Sequence, residues 1–347
     1  MLKQNEQNIE EITSTKNPLI KISANVLTVF IGLVASGYEF SYDKELAEII
    51  KAVKWDDSAV EYFRKARTSY CDVYPYWPRG AMLVSASLNL EESKGYEYND
   101  FNRVKKSLAN YSNIDPKENG EETEQWLLQL PTYYRLIREN LKFNNFWVEY
   151  LKRTESIADQ FMEAIHEAKN RVVSRFKVNE IELPEIGVMP NILGFNGDFE
   201  RIDGVIFVVC AQPDTSLAIH EYLHNIFEQG LKNTIEKIQE CAYLLNPVFE
   251  KMFLYKYAWA KDAPSWCRVF EESLVRAATI WVNQSNENEA KLQSMKREEE
   301  GFSYVPVLLE ELNNNWCGTN EFPKFIDYCL QACEYKYNSI TVGTPQI

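Results

Sequence analysis

The sequence has little of what nucleic-acid-binding proteins need. Its 37 lysines and arginines are outnumbered by 51 aspartates and glutamates, and the formal net charge is -14. Clustered basic side chains bind phosphate backbones, and no such cluster is present, so we expect no nucleic-acid partner. The acidic excess indicates a solvated surface. An apolar fraction of 45%, with 13% aromatic residues, predicts a globular protein.

A long apolar segment is also lacking. The main apolar run, residues 26–35, is too short to cross a bilayer. The segment before it carries Glu6, Glu10 and Glu11, where an export signal would be basic. We therefore predict a buried helix at 26–35, no membrane partner and a cytoplasmic protein.

The cysteines do not form the paired pattern of a disulfide framework. There are seven, scattered and mostly inside apolar segments. This pattern favours reduced thiols packed in the interior, which agrees with a cytoplasmic location. Cys329 and Cys333 share a predicted helix face, and we interpret them as packing residues.

Histidine is scarce, yet two of the three histidines lie four residues apart. Positions i and i+4 of a helix share a face, so His220 and His224 can both offer a ring nitrogen to one zinc ion. Glu221 directly follows the first histidine, where it points toward a zinc-activated water. This H-E-x-x-H pattern is typical of zinc metallopeptidases. The third histidine, His166, lies in a charged helix and is predicted to be an exposed structural residue.

The segments around the motif fit the same interpretation. Residues 213–216 predict the start of a helix, and Gly230 predicts its end. Two strands, at about 181–193 and 202–210, flank the turn residues 196–198, which predicts a hairpin or meander before the helix. Zincins have this order of strand, loop and H-E-x-x-H helix, and an edge of their sheet can pair with an extended peptide.

A catalytic zinc site needs a third protein ligand, with the fourth position left for water. The adjacent residues Glu271 and Glu272 lie on a later predicted helix. The register in which gluzincins present their ligand glutamate selects Glu272. A helical wheel instead puts Glu271 nearer to the apolar stripe, so Glu271 stays an alternative. Arg276, one turn after Glu272, is predicted to support that ligand or to bind a carboxylate of the substrate.

Periodicity predicts a mostly helical α+β chain in four parts. These are a disordered N-terminus at 1–16, a helical N-terminal lobe at 17–175, a zincin-like catalytic region at 176–340 and a tail at 341–347. A small β-sheet is expected next to the H-E-x-x-H helix. Helices are predicted in the lobe near 24–37, 43–54, 57–67, 99–110, 121–150 and 155–175. After the motif they are predicted near 232–244, 246–258, 265–283, 304–313 and 323–335.

Three motifs occur in the order seen in a bacterial zincin-like family that is catalogued as a domain of unknown function. They are residues 220–224, 271–277 and 301–309. Residues 22–77 also resemble the helical beginning of that family, so the likeness covers most of the chain. The resemblance implies a gluzincin-type metallopeptidase fold and activity, and it leaves the substrate open.

The expected reaction is amide hydrolysis with one zinc ion per chain. Zinc would be held by His220, His224 and Glu272, while Glu221 takes a proton from water and later passes it to the leaving amine. Tyr304 follows Gly301 in an aromatic segment, and it is the candidate donor to the developing oxyanion. A packing role for Tyr304 is equally compatible with the sequence.

A second function is compatible with the same three predicted metal ligands. A catalytically inactive zincin-like module would bind a peptide or a partner protein without hydrolysing it. Glu221 favours the enzyme, because a binding module has no need of a general base at that position. A peptide or protein substrate is the partner that the first interpretation predicts.

Overall fold

The computed structural model describes residues 12–14, 17–68, 75–91, 96–98, 100–102, 104–105, 120–179, 183–194, 198–202, 205–255, 257–316 and 318–342. These residues form a mostly helical protein with small sheets, which confirms the predicted α+β class. Two compact units are present. The first contains residues 1–69, 75–163 and 186–214, and the second contains 70–74, 164–185 and 215–347.

The first unit is built around a buried helix. Its helices are α1 (Ala24–Ala35), α2 (Lys44–Lys51), α3 (Asp57–Arg64), α4 (Arg79–Ser87), α5 (Glu121–Leu128), α6 (Leu130–Leu141) and α7 (Phe143–Glu155), and α8 (Ala158–Phe176) begins there. Ser23 starts α1 by accepting a hydrogen bond from the Val26 N–H at 3.2 Å. Helix α1 packs against α2, α3, α4 and α6 and is buried along nearly its whole length, as predicted for residues 26–35.

No helix in the described ranges combines the length and the apolarity needed to cross a membrane. Most of the helix predicted near 99–110 lies outside the described residues.

Two short antiparallel pairs accompany these helices. Strand β1 (Ile12–Ser14) pairs with β2 (Lys21–Ser23), and β3 (Leu90–Glu91) pairs with β4 (Glu97–Tyr98). Strand β1 falls inside the N-terminal segment that was predicted to be disordered. The other residues of that segment lie outside the described ranges.

The larger sheet differs from the predicted hairpin. Its strands are β5 (Ile186–Pro190), β6 (Asp198–Ile202) and β7 (Val205–Cys210), in the order β5-β7-β6. The two predicted strands become β5 and β7, which are parallel, while β6 pairs antiparallel with the other edge of β7. All of β5 and most of β7 are buried, and such continuous burial suits parallel strands. Asn196 and Gly197 of the predicted turn lie outside the described residues.

The second unit contains the helix with the histidine motif. Its elements are α9 (Thr215–Glu240), a 3-10 turn (Ala242–Leu245), α10 (Phe249–Leu254), α11 (Ala263–Asn283), α12 (Glu287–Glu299), α13 (Val305–Asn315), a 3-10 turn (Thr319–Glu321) and α14 (Phe322–Val342). Helix α9 packs most extensively against α11, which also packs against α13. Asp262 starts α11 by accepting a hydrogen bond from the Ser265 N–H at 2.9 Å, and Pro264 occupies the first turn.

Helix α9 does not end at Gly230, contrary to the prediction. It continues for ten residues beyond that position, to Glu240. A Cβ atom at position 230 would clash sterically with Cδ1 of Phe322, at the start of α14. Glycine is therefore used here for a close approach between two helices, and not for a turn.

The described cysteines are free thiols, as predicted. Cys329 and Cys333 on α14 are fully buried, and burial raises the pKa of both thiols well above the usual value. Such thiols are unreactive packing residues. Cys71 and Cys317 lie outside the described residues.

Candidate metal centre

The second and third turns of α9 place two imidazole rings side by side. Helix α9 begins at Thr215, inside the predicted start at 213–216, and it buries Ala218, Ile219, Tyr222 and Leu223. His220 and His224 lie on one face, half-buried, with their Nε2 atoms 3.1 Å apart. The ring planes are nearly perpendicular, at 78°. The spacing of four residues thus places both rings on one face of the helix, as the sequence predicts.

Helix α11 supplies a carboxylate to the same place. The Glu272 side chain is only 13% exposed, and its Oε1 atom lies 3.6 Å from His224 Nε2. Its Oε2 atom lies 3.8 Å from His220 Nε2. A ligand atom from each of the three residues lies within 4.8 Å of the other two. We refer to His220, His224 and Glu272 as the His-His-Glu cluster.

Glu271 has a different position. Its side chain is 39% exposed, and its Oε1 atom lies 3.0 Å from His224 Nδ1, on the far side of the ring from the cluster. In this contact the Nδ1–H donates to the carboxylate, so Nε2 is the ring nitrogen that faces the cluster. The helical wheel placed Glu271 nearer to the buried stripe, yet Glu272 is the less exposed of the two. The reason is that the polar face of α11 meets the histidines of α9.

The three residues of the cluster differ in their pKa values, because burial and the neighbouring charges act on each of them differently. Burial, together with the charge of the neighbouring His224, lowers the pKa of His220 to about 3. Burial also lowers the pKa of His224, but the hydrogen bond to Glu271 and the charge of Glu272 outweigh it and bring this pKa to about 9. Burial raises the pKa of Glu272, but His224, His220 and Arg276 outweigh it, so its pKa is about 2. Glu272 is therefore an ionised carboxylate at neutral pH.

Glu221 lies between the two histidines on α9 and is the most buried of these carboxylates, at 7% exposure. Burial raises its pKa to about 7, and the charge of Glu272 adds to this while that of His224 opposes it. A carboxyl group with a pKa near neutrality can both accept and release a proton at working pH.

Arg276 is held next to the cluster by several contacts. One of its guanidinium nitrogens lies 3.6 Å from Glu272 Oε2 and donates a hydrogen bond to the Tyr257 hydroxyl at 2.7 Å. The guanidinium carbon also lies 4.2 Å from the centre of the Phe302 ring. This geometry fits the first of its two predicted roles, the support of Glu272.

Tyr304 is not grouped with these residues. Its side chain is 1% exposed, and its hydroxyl donates a hydrogen bond to the backbone carbonyl of Leu244. The ring packs edge-on against Trp266, with centroids 5.5 Å apart. These contacts are those of a packing residue, and the oxyanion role of Tyr304 stays a prediction.

Sequence reasoning missed two residues near Glu272. Arg268 lies one turn before it on α11, and Tyr257 lies in the segment before α11. The guanidinium carbon of Arg268 is 5.7 Å from the centre of the Tyr257 ring. The spacing of Arg268, Glu272 and Arg276 by four residues was a usable signal. Tyr257 gave none, since the chain has 20 tyrosines.

The cluster fits a zinc ion in both chemistry and spacing. Bonds of about 2.0–2.2 Å in a tetrahedral site separate the ligand atoms by roughly 3.3–3.6 Å. The two Nε2 atoms are 3.1 Å apart, and the two Glu272 oxygens lie 3.6 and 3.8 Å from them, so all three distances are close to this range. Glu272 Oε2 is buried, and no described residue donates a hydrogen bond to it. Buried polar atoms are normally satisfied, so an unsatisfied oxygen of a carboxylate that lies next to two imidazole nitrogens is suited to a cation.

Comparisons with known proteins give no match. No family model matches the chain, and neither a curated protein nor a solved structure matches it. The resemblance to a zincin-like family therefore stays a prediction from the motifs.

Proposed function

We propose that the protein is a zinc-dependent metallopeptidase that hydrolyses peptide bonds and takes one zinc ion per chain. The observation that supports this most is the convergence of the His-His-Glu cluster, with Glu221 buried beside it. Two histidines and one glutamate are a ligand set of catalytic zinc sites. When bound, zinc supplies Lewis-acid chemistry, which acidifies a water molecule and polarises an amide carbonyl.

Glu221 is the proposed general base and acid. It accepts a proton from the attacking water and delivers that proton to the leaving amine. Its pKa of about 7 supports both steps, because neither form of the carboxyl group is strongly favoured near neutral pH. A solvated glutamate would hold the proton too weakly to return it efficiently.

Glu271 and Arg276 position the ligands in this proposal. Glu271 accepts the Nδ1–H of His224 and so fixes the orientation of that ring, as carboxylates behind zinc-bound histidines do. Arg276 lies against Glu272 Oε2 and favours its ionised form. Neither residue needs to touch the substrate in order to contribute.

The finer description of the fold and its setting belongs to the same proposal. A zincin-like fold, as in the gluzincin-type family that the motifs resemble, is part of it. The order of strand β7 and then the H-E-x-x-H helix α9 along the chain supports this. A peptide or protein substrate and a cytoplasmic location complete the proposal.

The test compares Glu221→Gln with wild type on a diverse peptide library read by mass spectrometry. Glu228→Gln, at an exposed position on the same helix, is the matched control. We expect about one zinc per chain in all three proteins, because no ligand is changed. Cleavage should persist in the control and fall by about 100- to 10,000-fold in Glu221→Gln.

Two other outcomes are informative. Zinc binding without cleavage by wild type would favour the inactive module that binds a peptide or partner protein. Failure of wild type to take up zinc, even when zinc is added, would overturn both functions.

A further inference from the structure

Two arginines flank the carboxylate of the His-His-Glu cluster. Arg268 lies four residues before Glu272 on α11, and Arg276 lies four residues after it. Side chains at this spacing share one face of a helix. Both guanidinium groups lie near the Tyr257 ring, at 5.7 Å for Arg268 and 5.4 Å for Arg276.

The contacts of these two arginines differ. Arg276 lies 3.6 Å from Glu272, donates to the Tyr257 hydroxyl and packs on Phe302. Arg268 has the Tyr257 ring beneath it but neither a hydrogen bond nor an ion pair with any described residue. Its Nε atom is buried and unsatisfied. Both positive charges lower the pKa of Glu272, but only Arg276 lies within ion-pair distance of its carboxylate.

Arg268 acts on Glu272 only through its charge, and it makes no contact ion pair in the described part of the chain. Acidic residues exceed basic ones by 14, so carboxylates are abundant, yet no described carboxylate forms an ion pair with Arg268. Its side chain is half-buried, and burying a donor without an acceptor is unfavourable. Stacking on an aromatic ring orients a guanidinium group and leaves its donating edge available.

The chemistry of that edge indicates what would bind there. A guanidinium group presents N–H donors in a planar fork that matches a carboxylate. We propose that Arg268 binds a carboxylate of the peptide substrate beside the zinc site, so that the protein selects peptides with a negative charge close to the cleaved bond. This inference rests on the proposed function. The carboxylate is the C-terminus of the peptide or an acidic side chain.

The test measures binding separately from catalysis. The protein is zinc-loaded Glu221→Gln, and the probe is an N-acetylated hexapeptide of alanine and leucine, whose binding is followed by isothermal titration calorimetry. The peptide is used as the free acid, as the C-terminal amide, and as the amide with one leucine replaced by glutamate. The free acid reports a C-terminal site, and the glutamate peptide reports a side-chain site.

We expect one of the two charged peptides to bind at least about 10-fold more tightly than the neutral amide, as a charge-assisted pair to arginine would give. Arg268→Gln should abolish this preference without changing the Kd of the neutral amide. Arg268→Lys keeps the charge but loses the planar fork, so it should retain part of the preference. Lys291→Gln, at an exposed position on α12, should change nothing.

Equal binding of all three peptides, or a preference that survives Arg268→Gln, would overturn the inference. Zinc content and melting temperature are measured for every variant, and Arg268→Lys decides the question if Arg268→Gln does not fold. Wild type that cleaves peptides without a charge preference would refute only this inference. An Arg268-dependent preference in a protein that never cleaves a peptide would refute only the proposed function.

Discussion

Asn25 in the first unit and Glu272 in the second are both deeply placed polar side chains, and their partners differ. Asn25 Nδ2 donates to the carbonyls of Ser87 and Leu90 at 3.0 and 3.2 Å, and its Oδ1 accepts from the Tyr134 hydroxyl. Glu272 faces two imidazole nitrogens at 3.6 and 3.8 Å. Its buried Oε2 atom has no hydrogen-bond donor in the described part of the chain.

Asn25 is a structural polar residue, whereas the position of Glu272 is suited to binding a ligand. Every polar atom of the Asn25 side chain is satisfied inside the protein, which stabilises and specifies a fold. In the His-His-Glu cluster, two imidazole nitrogens and a carboxylate converge, and one carboxylate oxygen has no hydrogen-bond donor among the described residues. Substitutions at Asn25 should therefore change stability alone, and substitutions in the cluster should change zinc affinity.

The largest effect is expected for Glu272→Gln. This change removes an ionised ligand, since the pKa of Glu272 is about 2, and it keeps the size of the side chain. We expect zinc affinity, measured by competition with a chelator, to fall by more than about 100-fold, which exceeds the usual effect of losing a supporting contact. Unchanged affinity would contradict the assignment of Glu272 as a ligand.

Glu271→Gln tests the residue behind His224. The amide cannot replace the charge of the carboxylate that accepts the Nδ1–H, so the ring loses part of its orientation and basicity. Zinc affinity should fall by about 10- to 100-fold in the same competition assay. A larger loss than in Glu272→Gln would show that the two glutamates have exchanged roles.

Asn25→Ala tests the other side of the comparison. Loss of the amide removes three buried hydrogen bonds, two to backbone carbonyls and one from the Tyr134 hydroxyl, and the expected cost is about 2 kcal/mol of unfolding free energy in urea titrations. Zinc affinity should stay at the wild-type value. Asn144→Ala, at an exposed position, is the control and should change neither quantity. A loss of zinc affinity at Asn25 would remove the distinction between the two regions.

The smallest effect is expected for Tyr304→Phe. Its hydroxyl donates to the Leu244 carbonyl in a buried site, so its removal should cost about 1 kcal/mol of stability. Zinc content and turnover should stay close to wild type. If turnover instead falls by 10-fold or more at unchanged melting temperature, the oxyanion role is correct and this packing interpretation is wrong.

The parts of the fold that depend on local patterns could be predicted from the sequence. A continuous apolar run gave α1, and the histidine spacing gave one shared face on α9. Helix α12 was missed, because only Ala290 and Ser294 are buried along it and the apolar period is nearly absent. Parallel pairing of β5 and β7 was also missed, since it joins segments whose register no single turn sets.

The members of the site that follow a local pattern could also be predicted. The H-E-x-x-H spacing selects His220, Glu221 and His224, and the gluzincin register selects Glu272. A helical wheel could not say which face of α11 meets α9, and so it favoured Glu271. Tyr257 approaches from outside the helix, and no periodicity connects it with Glu272. Such contacts depend on tertiary packing, which a local pattern does not contain.

The absence of a side chain at Gly230 has a consequence for the precision of the cluster. Residue 224 lies six positions before this glycine on one continuous helix, a distance of about 9 Å along the axis. A helix of this length moves nearly as a rigid rod, so displacing α9 from Phe322 at one point would tilt the imidazole rings at another. The close contact between Gly230 and the Phe322 ring thus helps to fix the position of α9, and with it the alignment of His220 and His224.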